Sequence, residues 1–318
     1  MKILITQALP GKAVELLLKN GFEVVVYDKE KPLPGKELLK LVKDVDGMIS
    51  MLGNKIDRQV IDAMQKCRVI ANYAVGFNNI DIDYAAKKGI VVTNTPDVLT
   101  DSTADIAFAL TLACMRRTSE GERLVRKKKF KGWTPNLMLG YELKNKFFGV
   151  LGGGRIGTAA ALRAKAFGCN ILYFSRSRSP KLEKLTGAVK MPLRSLLIKS
   201  DIVSVHLPLN SKSKNLLSKE MLSLLKPSSV LINTARGEVL DEKFLIKLLK
   251  EKKIFAAGFD VYENEPNINP ELYALENAVL LPHIGSATIE ARSAMAKLAA
   301  ENIIAVLKNK PALTPVNK

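Results

Sequence analysis

The sequence predicts an α/β protein built from two doubly wound parallel-sheet domains. Three observations carry that expectation. Short apolar runs alternate with helical segments from Lys2 to Asn94, the same alternation resumes at Phe147, and a glycine-rich stretch sits where the second series begins. Runs of this kind, separated by helix-length segments instead of tight turns, argue parallel strands joined by crossover helices. At 318 residues and 47% hydrophobic composition, the chain is long enough for two such cores.

In the first series, Lys2 to Thr6 and Glu23 to Tyr27 read as strands flanking a helix from Ala13 to Asn20, and Gly47 to Leu52 as a third strand. A helix from Asp57 to Met64 leads to the strand Arg68 to Tyr73, and one from Ile82 to Lys88 leads to Gly89 to Asn94. No glycine fingerprint occurs here. The Val75-Gly76 turn follows a strand's C-terminal end, which is where an open α/β sheet places a ligand. Thr95-Pro96-Asp97 reads as a breaker and Asp101-Ser102-Thr103 as the cap of a long helix to about Met115, apolar nearly all round. A basic helix, Gly121 to Lys129, precedes the single tryptophan, Trp133, expected as a packing anchor.

The second series opens with the apolar run Phe147 to Leu151, then Gly152-Gly153-Gly154-Arg155-Ile156-Gly157, a helix from Thr158 to Phe167, and the strand Asn170 to Phe174. The glycines at 152, 154 and 157 have the G-x-G-x-x-G spacing of a dinucleotide site. One permits the tight turn, one lets the backbone approach a pyrophosphate, and one lets helix and strand pack closely. Gly153 falls at a position expected to need no particular side chain. An NAD site usually carries an acid at the end of the second strand, yet the chain reads Ser175-Arg176-Ser177-Arg178, with no acid between Thr158 and Leu182. Hydroxyls and a guanidinium suit a 2'-phosphate where a carboxylate would repel it, so NADP is favoured, with NAD open. Strands Asp201 to Pro208, Val230 to Gly237, Phe255 to Asp260 and Ala278 to His283 follow, each with a polar C-terminal exit. The last helix, Thr288 to Lys308, has no strand after it and is expected to return to the first domain.

No run is long enough to span a membrane, and the N-terminus reads as a strand, so a cytoplasmic location is the default expectation. Cys67, Cys114 and Cys169 show neither disulfide nor zinc spacing, and no metal site is expected. The net charge of +18 raises nucleic acid as a partner, but the basic residues are dispersed and no nucleic-acid motif accompanies them.

Only two histidines are available as an acid near neutral pH, His206 and His283. His283 stands at a strand exit beside Ile284-Gly285-Ser286, whereas His206 ends a strand within the cofactor half. Glu265 is placed to orient such a histidine, and Arg236 offers a planar fork for a substrate carboxylate or carbonyl. Arg236 and Glu265 as a structural ion pair, and His283 as a turn residue, are the plainer readings of each alone. Together with a dinucleotide site, the three describe hydride transfer to a 2-keto acid.

These segments resemble the D-isomer-specific 2-hydroxyacid dehydrogenases over nearly the whole length. The resemblance rests on Leu151 to Gly157, Ser200 to Pro208, Lys226 to Asp241, Asp260 to Pro266 and Leu281 to Thr288. Asn94 to Asp101, Phe130 to Trp133 and the Ser175-Arg176 strand end look most like the glyoxylate and hydroxypyruvate reductase branch. It implies a Rossmann-type cofactor domain, residues 98–287, inserted in a flavodoxin-like substrate domain of residues 1–97 and 288–318. It also implies NAD(P)H-dependent reduction of glyoxylate or hydroxypyruvate, with His283 as proton donor, Glu265 as its partner and Arg236 on the substrate. Leu52 and the backbone N–H groups of Val75 and Gly76 would complete the substrate site. The cofactor set it implies is Gly152, Gly154, Arg155, Ile156, Gly157, Ser175, Arg176, Ser177, His206, Pro208, Thr234, Ala235, Arg236, Asp260 and Gly285. Such enzymes form homodimers through the cofactor domain. A 2-ketogluconate or other 2-keto acid reductase, and a nucleotide-sensing corepressor-like scaffold, are the alternatives.

Overall fold

The computed structural model describes residues 1–29 and 31–317. Lys318, the last residue of the predicted first domain, lies outside them. The chain separates into two compact units, Met1–Leu99 with Ser286–Lys318, and Thr100–Gly285.

The first unit is a five-stranded parallel sheet of β1 (Lys2–Ile5), β2 (Glu23–Val26), β3 (Gly47–Ser50), β4 (Val69–Asn72) and β5 (Val91–Thr93), in the order β2-β1-β3-β4-β5. Side chains alternate across the strands, so each strand serves two cores. Ile3, Ile5, Ile49 and Ala71 pack with Leu17 of the helix Ala13–Lys19 and with Ala296 and Ile303 of the helix Ile289–Leu307. Leu4, Met48 and Ile70 point the other way, onto Leu38, Ile61 and Ala85 of the helices Gly35–Leu41, Arg58–Ala63 and Ile82–Lys87. The last helix therefore does return to this sheet. Thr288 starts it by accepting a hydrogen bond from Ala291 N at 3.0 Å, which satisfies one of the orphan donors of the first turn.

The second unit is a seven-stranded parallel sheet of β6 (Phe147–Leu151), β7 (Asn170–Phe174), β8 (Val189–Lys190), β9 (Ile202–Val205), β10 (Val230–Asn233), β11 (Ala256–Phe259) and β12 (Ala278–Leu280). Its order is β12-β11-β10-β9-β6-β7-β8. The chain runs outward from β6 through β7 to β8, then returns to the far side of β6 as β9. That reversal places a topological switch point at the C-terminal ends of β6 and β9, where doubly wound sheets open a crevice. One face of the sheet, through Phe148, Val150, Ile202 and Ile232, packs on the helices Thr100–Arg116 and Arg155–Ala166. The other, through Leu151, Val203, Leu231 and Phe259, packs on Leu193–Lys199 and Glu242–Lys250.

Several expectations change. The long helix begins at Thr100, so Asp101, Ser102 and Thr103 lie inside it and do not cap it. Its all-round apolar character is explained within its own unit, because Leu110 and Cys114 lie close over Gly258 of β11. The fingerprint helix begins at Arg155, three residues earlier than the apolar pattern shows, and the basic helix spans Thr118–Arg126. Trp133 is 80% exposed and packs into no core of this chain. β8 carries no apolar pattern because both of its residues are exposed at the sheet edge.

Candidate active site

The fingerprint turn shows why these residues are glycines. Gly152 has φ +107°, and a Cβ there would come within 2.5 Å of the His206 carbonyl oxygen on the neighbouring strand. At Gly157 a Cβ would lie 2.0 Å from the Gly152 oxygen, so helix and turn can touch only with glycine present. Around Gly154 a Cβ would meet nothing within 4 Å. Its backbone faces open space at the start of the Arg155–Ala166 helix, where the free N–H groups favour phosphate. Arg155 and Ile156 form the first turn of that helix. Gly153 is more closely approached than Gly154: a Cβ would stand 3.0 Å from Ser179 Cβ, and Ser179 Oγ donates to the Gly153 oxygen at 2.7 Å.

At the end of β7, Ser175 Oγ donates to the Ser177 oxygen, and Arg176 and Ser177 are exposed. Arg178 is already engaged, with its guanidinium 2.6 Å from Glu183 Oε2. Glu183 also accepts from Tyr173 Oη, and Tyr173 Oη in turn accepts from Ser179 N at 3.1 Å. Among the described residues Arg176 has no acidic partner. It is the free guanidinium at the position where an acid would hold an unphosphorylated ribose.

The other strand exits converge on acid–base chemistry. His283 follows β12 with φ +53°, a left-handed conformation that turns the ring out of the strand direction. Its Nδ1 lies 2.7 Å from Glu265 Oε2, and Glu265 Oε1 accepts from Tyr262 N at 2.9 Å. Burial works to raise the Glu265 carboxyl, but its hydrogen bond to His283, the His283 charge, the Tyr262 N–H and the Arg236 charge together hold it below the usual range. Asp260, 1% exposed, accepts from Ile284 N at 2.7 Å and Gly285 N at 2.8 Å. Both of its oxygens therefore anchor the loop that carries His283, and a Cβ on Gly285 would sit 3.0 Å from this carboxylate. Arg236 follows β10, and burial pushes its guanidinium below its ordinary value while Glu265 and Glu238 oppose that. Sequence reasoning does not single out Asn233, which shapes this turn: its amide donates to Arg236 O at 2.9 Å and accepts from Ala235 N at 3.0 Å. A polar last residue on a buried strand was the available signal.

His206 differs from His283 in every respect that matters. Its Nε2 lies 2.8 Å from Ser204 Oγ, and burial pushes its pKa down to about 4. Its buried Nδ1 and the buried Thr234 Oγ1 have no partner among the described residues. These two orphaned polar atoms stand at the exits of β9 and β10, on the same sheet edge as the open backbone at Gly154. A dinucleotide fits that set, since its phosphates, ribose hydroxyls and carboxamide supply the missing partners. Pro208, two residues past His206, is exposed on this edge.

In the first unit, Leu52, Val75 and Gly76 are partly buried residues just beyond the C-terminal ends of β3 and β4. Among the described residues the N–H groups of Val75 and Gly76 have no acceptor. The same residues include no group of three or more His, Cys, Asp or Glu placed to hold a metal, and no helix long and apolar enough to cross a membrane.

Comparison with known proteins bears on the same site. The family described as D-isomer specific 2-hydroxyacid dehydrogenase, NAD binding domain, matches residues 108–285. A glyoxylate reductase of Pyrococcus furiosus is 48% identical across all of this chain and 95% of its own length. The crystal structure of a glyoxylate reductase from Paecilomyes thermophila superimposes with TM-score 0.88 at 32% identity, covering 99% of this chain and 98% of that one. An NADPH-dependent glyoxylate/hydroxypyruvate reductase from Sinorhizobium meliloti, in complex with NADP and malonate, gives TM-score 0.84 at 34% identity over 99% of this chain and 96% of that one.

Proposed function

The chain belongs to the D-isomer specific 2-hydroxyacid dehydrogenases, oxidoreductases of small 2-keto acids, and from that premise we propose that it reduces glyoxylate to glycolate and hydroxypyruvate to D-glycerate. The observation that carries the reading is the His283–Glu265 pair at 2.7 Å, on the sheet edge that also holds the glycine turn and Arg236. When bound, the reduced nicotinamide supplies a hydride to the keto carbon. His283 gives a proton to the keto oxygen, and the ionised Glu265 fixes the ring so that Nδ1 faces the carboxylate and Nε2 faces the substrate. The Arg236 guanidinium binds the substrate carboxylate and offsets negative charge on the oxygen as it is reduced. Leu52 and the free N–H groups of Val75 and Gly76 are the further substrate contacts that the family resemblance points to.

For the cofactor, Gly152, Gly154 and Gly157 with Arg155 and Ile156 cradle the pyrophosphate, while His206, Pro208, Thr234, Ala235 and Gly285 line the remainder. NADPH is the preferred donor in this reading, supported by the exposed, unpaired Arg176 flanked by Ser175 and Ser177. A homodimer belongs to the same proposal: Val125, Phe130, Trp133 and Leu139 leave 53–80% of their surface exposed in one stretch of the cofactor unit, more than a monomer's isolated apolar residues require. A cytoplasmic location completes it.

The test is the oxidation of NADPH and, separately, NADH, followed at the absorbance of the reduced nicotinamide, with glyoxylate, hydroxypyruvate, pyruvate and 2-ketogluconate in turn. Fast turnover of the first two with NADPH is the expected result. Preference for NADH would retain the enzyme and remove Arg176 as a 2'-phosphate reader. Preference for 2-ketogluconate would overturn the substrate assignment.

A further inference from the structure

The first unit contains a side-chain amide network that the proposed reaction does not yet use. Asn72, the last residue of β4, is fully buried and spends its whole hydrogen-bonding capacity. Its Nδ2 donates to Gly76 O at 2.9 Å and to Asn79 Oδ1 at 3.1 Å. Its Oδ1 accepts from Ser50 Oγ at 3.0 Å and from Asn79 Nδ2 at 3.3 Å. Asn79 Nδ2 also reaches Met51 O at 3.2 Å and Asn54 O at 3.1 Å. Asn94 Nδ2 donates to Val75 O at 2.9 Å.

The consequence is geometric. A peptide's N–H and C=O are coplanar and point in opposite directions. Fixing the Val75 oxygen on Asn94 fixes the direction of the Gly76 N–H, which shares that peptide plane. Fixing the Gly76 oxygen on Asn72 locks the far side of the same turn. Meanwhile the reciprocal Asn72–Asn79 amide pair ties this turn to the segment Met51–Asn54, which carries Leu52. Two loops from the ends of different strands are thereby held as one piece, by groups that are buried and mutually satisfied.

We propose that Asn72 is a positioning residue for substrate binding: through Gly76 and Asn79 it presents the Val75–Gly76 N–H donors and the Leu52 side chain in a single preset arrangement to the carboxylate of the keto acid. This rests on the substrate contacts proposed above. A small anion gains from donors that need no reordering on binding, and that gain is made equally in the ground and transition states. The role therefore belongs to KM and not to kcat.

The experiment compares Asn72→Ser and Asn79→Ser with the wild-type full-length enzyme, using glyoxylate and hydroxypyruvate at saturating nicotinamide cofactor. KM, kcat, the dinucleotide Kd by fluorescence titration and the thermal midpoint are measured for each. Asn72→Ser is expected to raise KM for both acids at least tenfold, with kcat within about threefold and dinucleotide Kd unchanged. Asn79→Ser, which leaves the Asn72–Gly76 bond in place, should raise KM by a smaller factor. A lowered midpoint with KM within twofold of wild type would make the network purely structural and overturn the proposal, as would a fall in kcat at constant KM. Arg236→Lys serves as the control for the underlying site. If it raises KM while the asparagine variants do not, only the positioning role fails. If none of the three changes KM, the substrate site itself has been misplaced.

Discussion

The two histidines of this protein stand at equivalent places, at or just beyond the C-terminal ends of parallel strands β9 and β12, and their surroundings make them different chemical groups. His206 has a hydroxyl partner and a buried Nδ1, and burial drives its pKa down to about 4. His283 is about one-third exposed and has a carboxylate 2.7 Å from Nδ1. The neutral ring suits a nucleotide pocket, where a positive charge beside Ser204 would be poorly solvated. The carboxylate-held ring suits proton delivery. Residue type is shared, and the partner decides the role.

The largest test of this contrast is deletion of each ring. His283→Ala should lower keto-acid turnover by about 10²–10⁴-fold, the usual range for loss of a general acid, with dinucleotide affinity largely kept. Turnover close to wild type would remove His283 as the proton donor. His206→Gln should leave an acid-dependent rate profile of unchanged shape.

A finer test removes the partner and keeps the ring. In Glu265→Gln the carboxylate that faces Nδ1 becomes a neutral amide, so the ring loses the charged partner that fixes its orientation. Keto-acid turnover should fall by less than in His283→Ala, because the donor ring is still present and only its orienting partner is lost. Turnover equal to the wild type's would remove Glu265 as the residue that orients the ring.

The smallest effect expected is on stability. The folded-state pKa of His206 is depressed from 6.5 to about 4, so the unfolded chain binds a proton that the folded chain refuses between those values. Stability from this group is complete above about pH 6.5 and is lost as pH falls towards 4. Between pH 7 and pH 5 the loss is about 2 kcal/mol, a few degrees in the melting temperature. In His206→Gln that part of the pH dependence should vanish, and melting curves at the two pH values measure it directly. A slope as steep as the wild type's would assign the acid sensitivity to other groups.

Much of this architecture was legible in the chain. Buried parallel strands need uninterrupted apolar runs, and β6, β7 and β10 are plain for that reason. Glycine at 152 and 157 is dictated by contacts closer than any side chain permits, so the fingerprint spacing is itself a structural record. Residues whose role depends on a distant partner left weaker traces. β8 lies exposed at an edge and gains its pairing from β7 alone. Gly153 reads as unconstrained until Ser179, 26 residues later, is brought against it. Ser102 and Thr103 look like caps, because hydroxyl residues favour helix starts, yet both are buried within the helix.

The sequence by itself determined the two α/β units, the dinucleotide turn and the short roster of groups able to move a proton, because local pattern and residue chemistry suffice for those. Only the tertiary structure decided that Glu265 Oε2 comes within 2.7 Å of His283 Nδ1, that Glu183 occupies Arg178 and leaves Arg176 free, and that Asn72 and Asn94 hold the Val75–Gly76 turn. Each of these depends on which strand exits lie side by side in a sheet whose order differs from the order of the chain. Hydrogen bonds act over about 3 Å, and sequence separation says little about which groups fall within that distance.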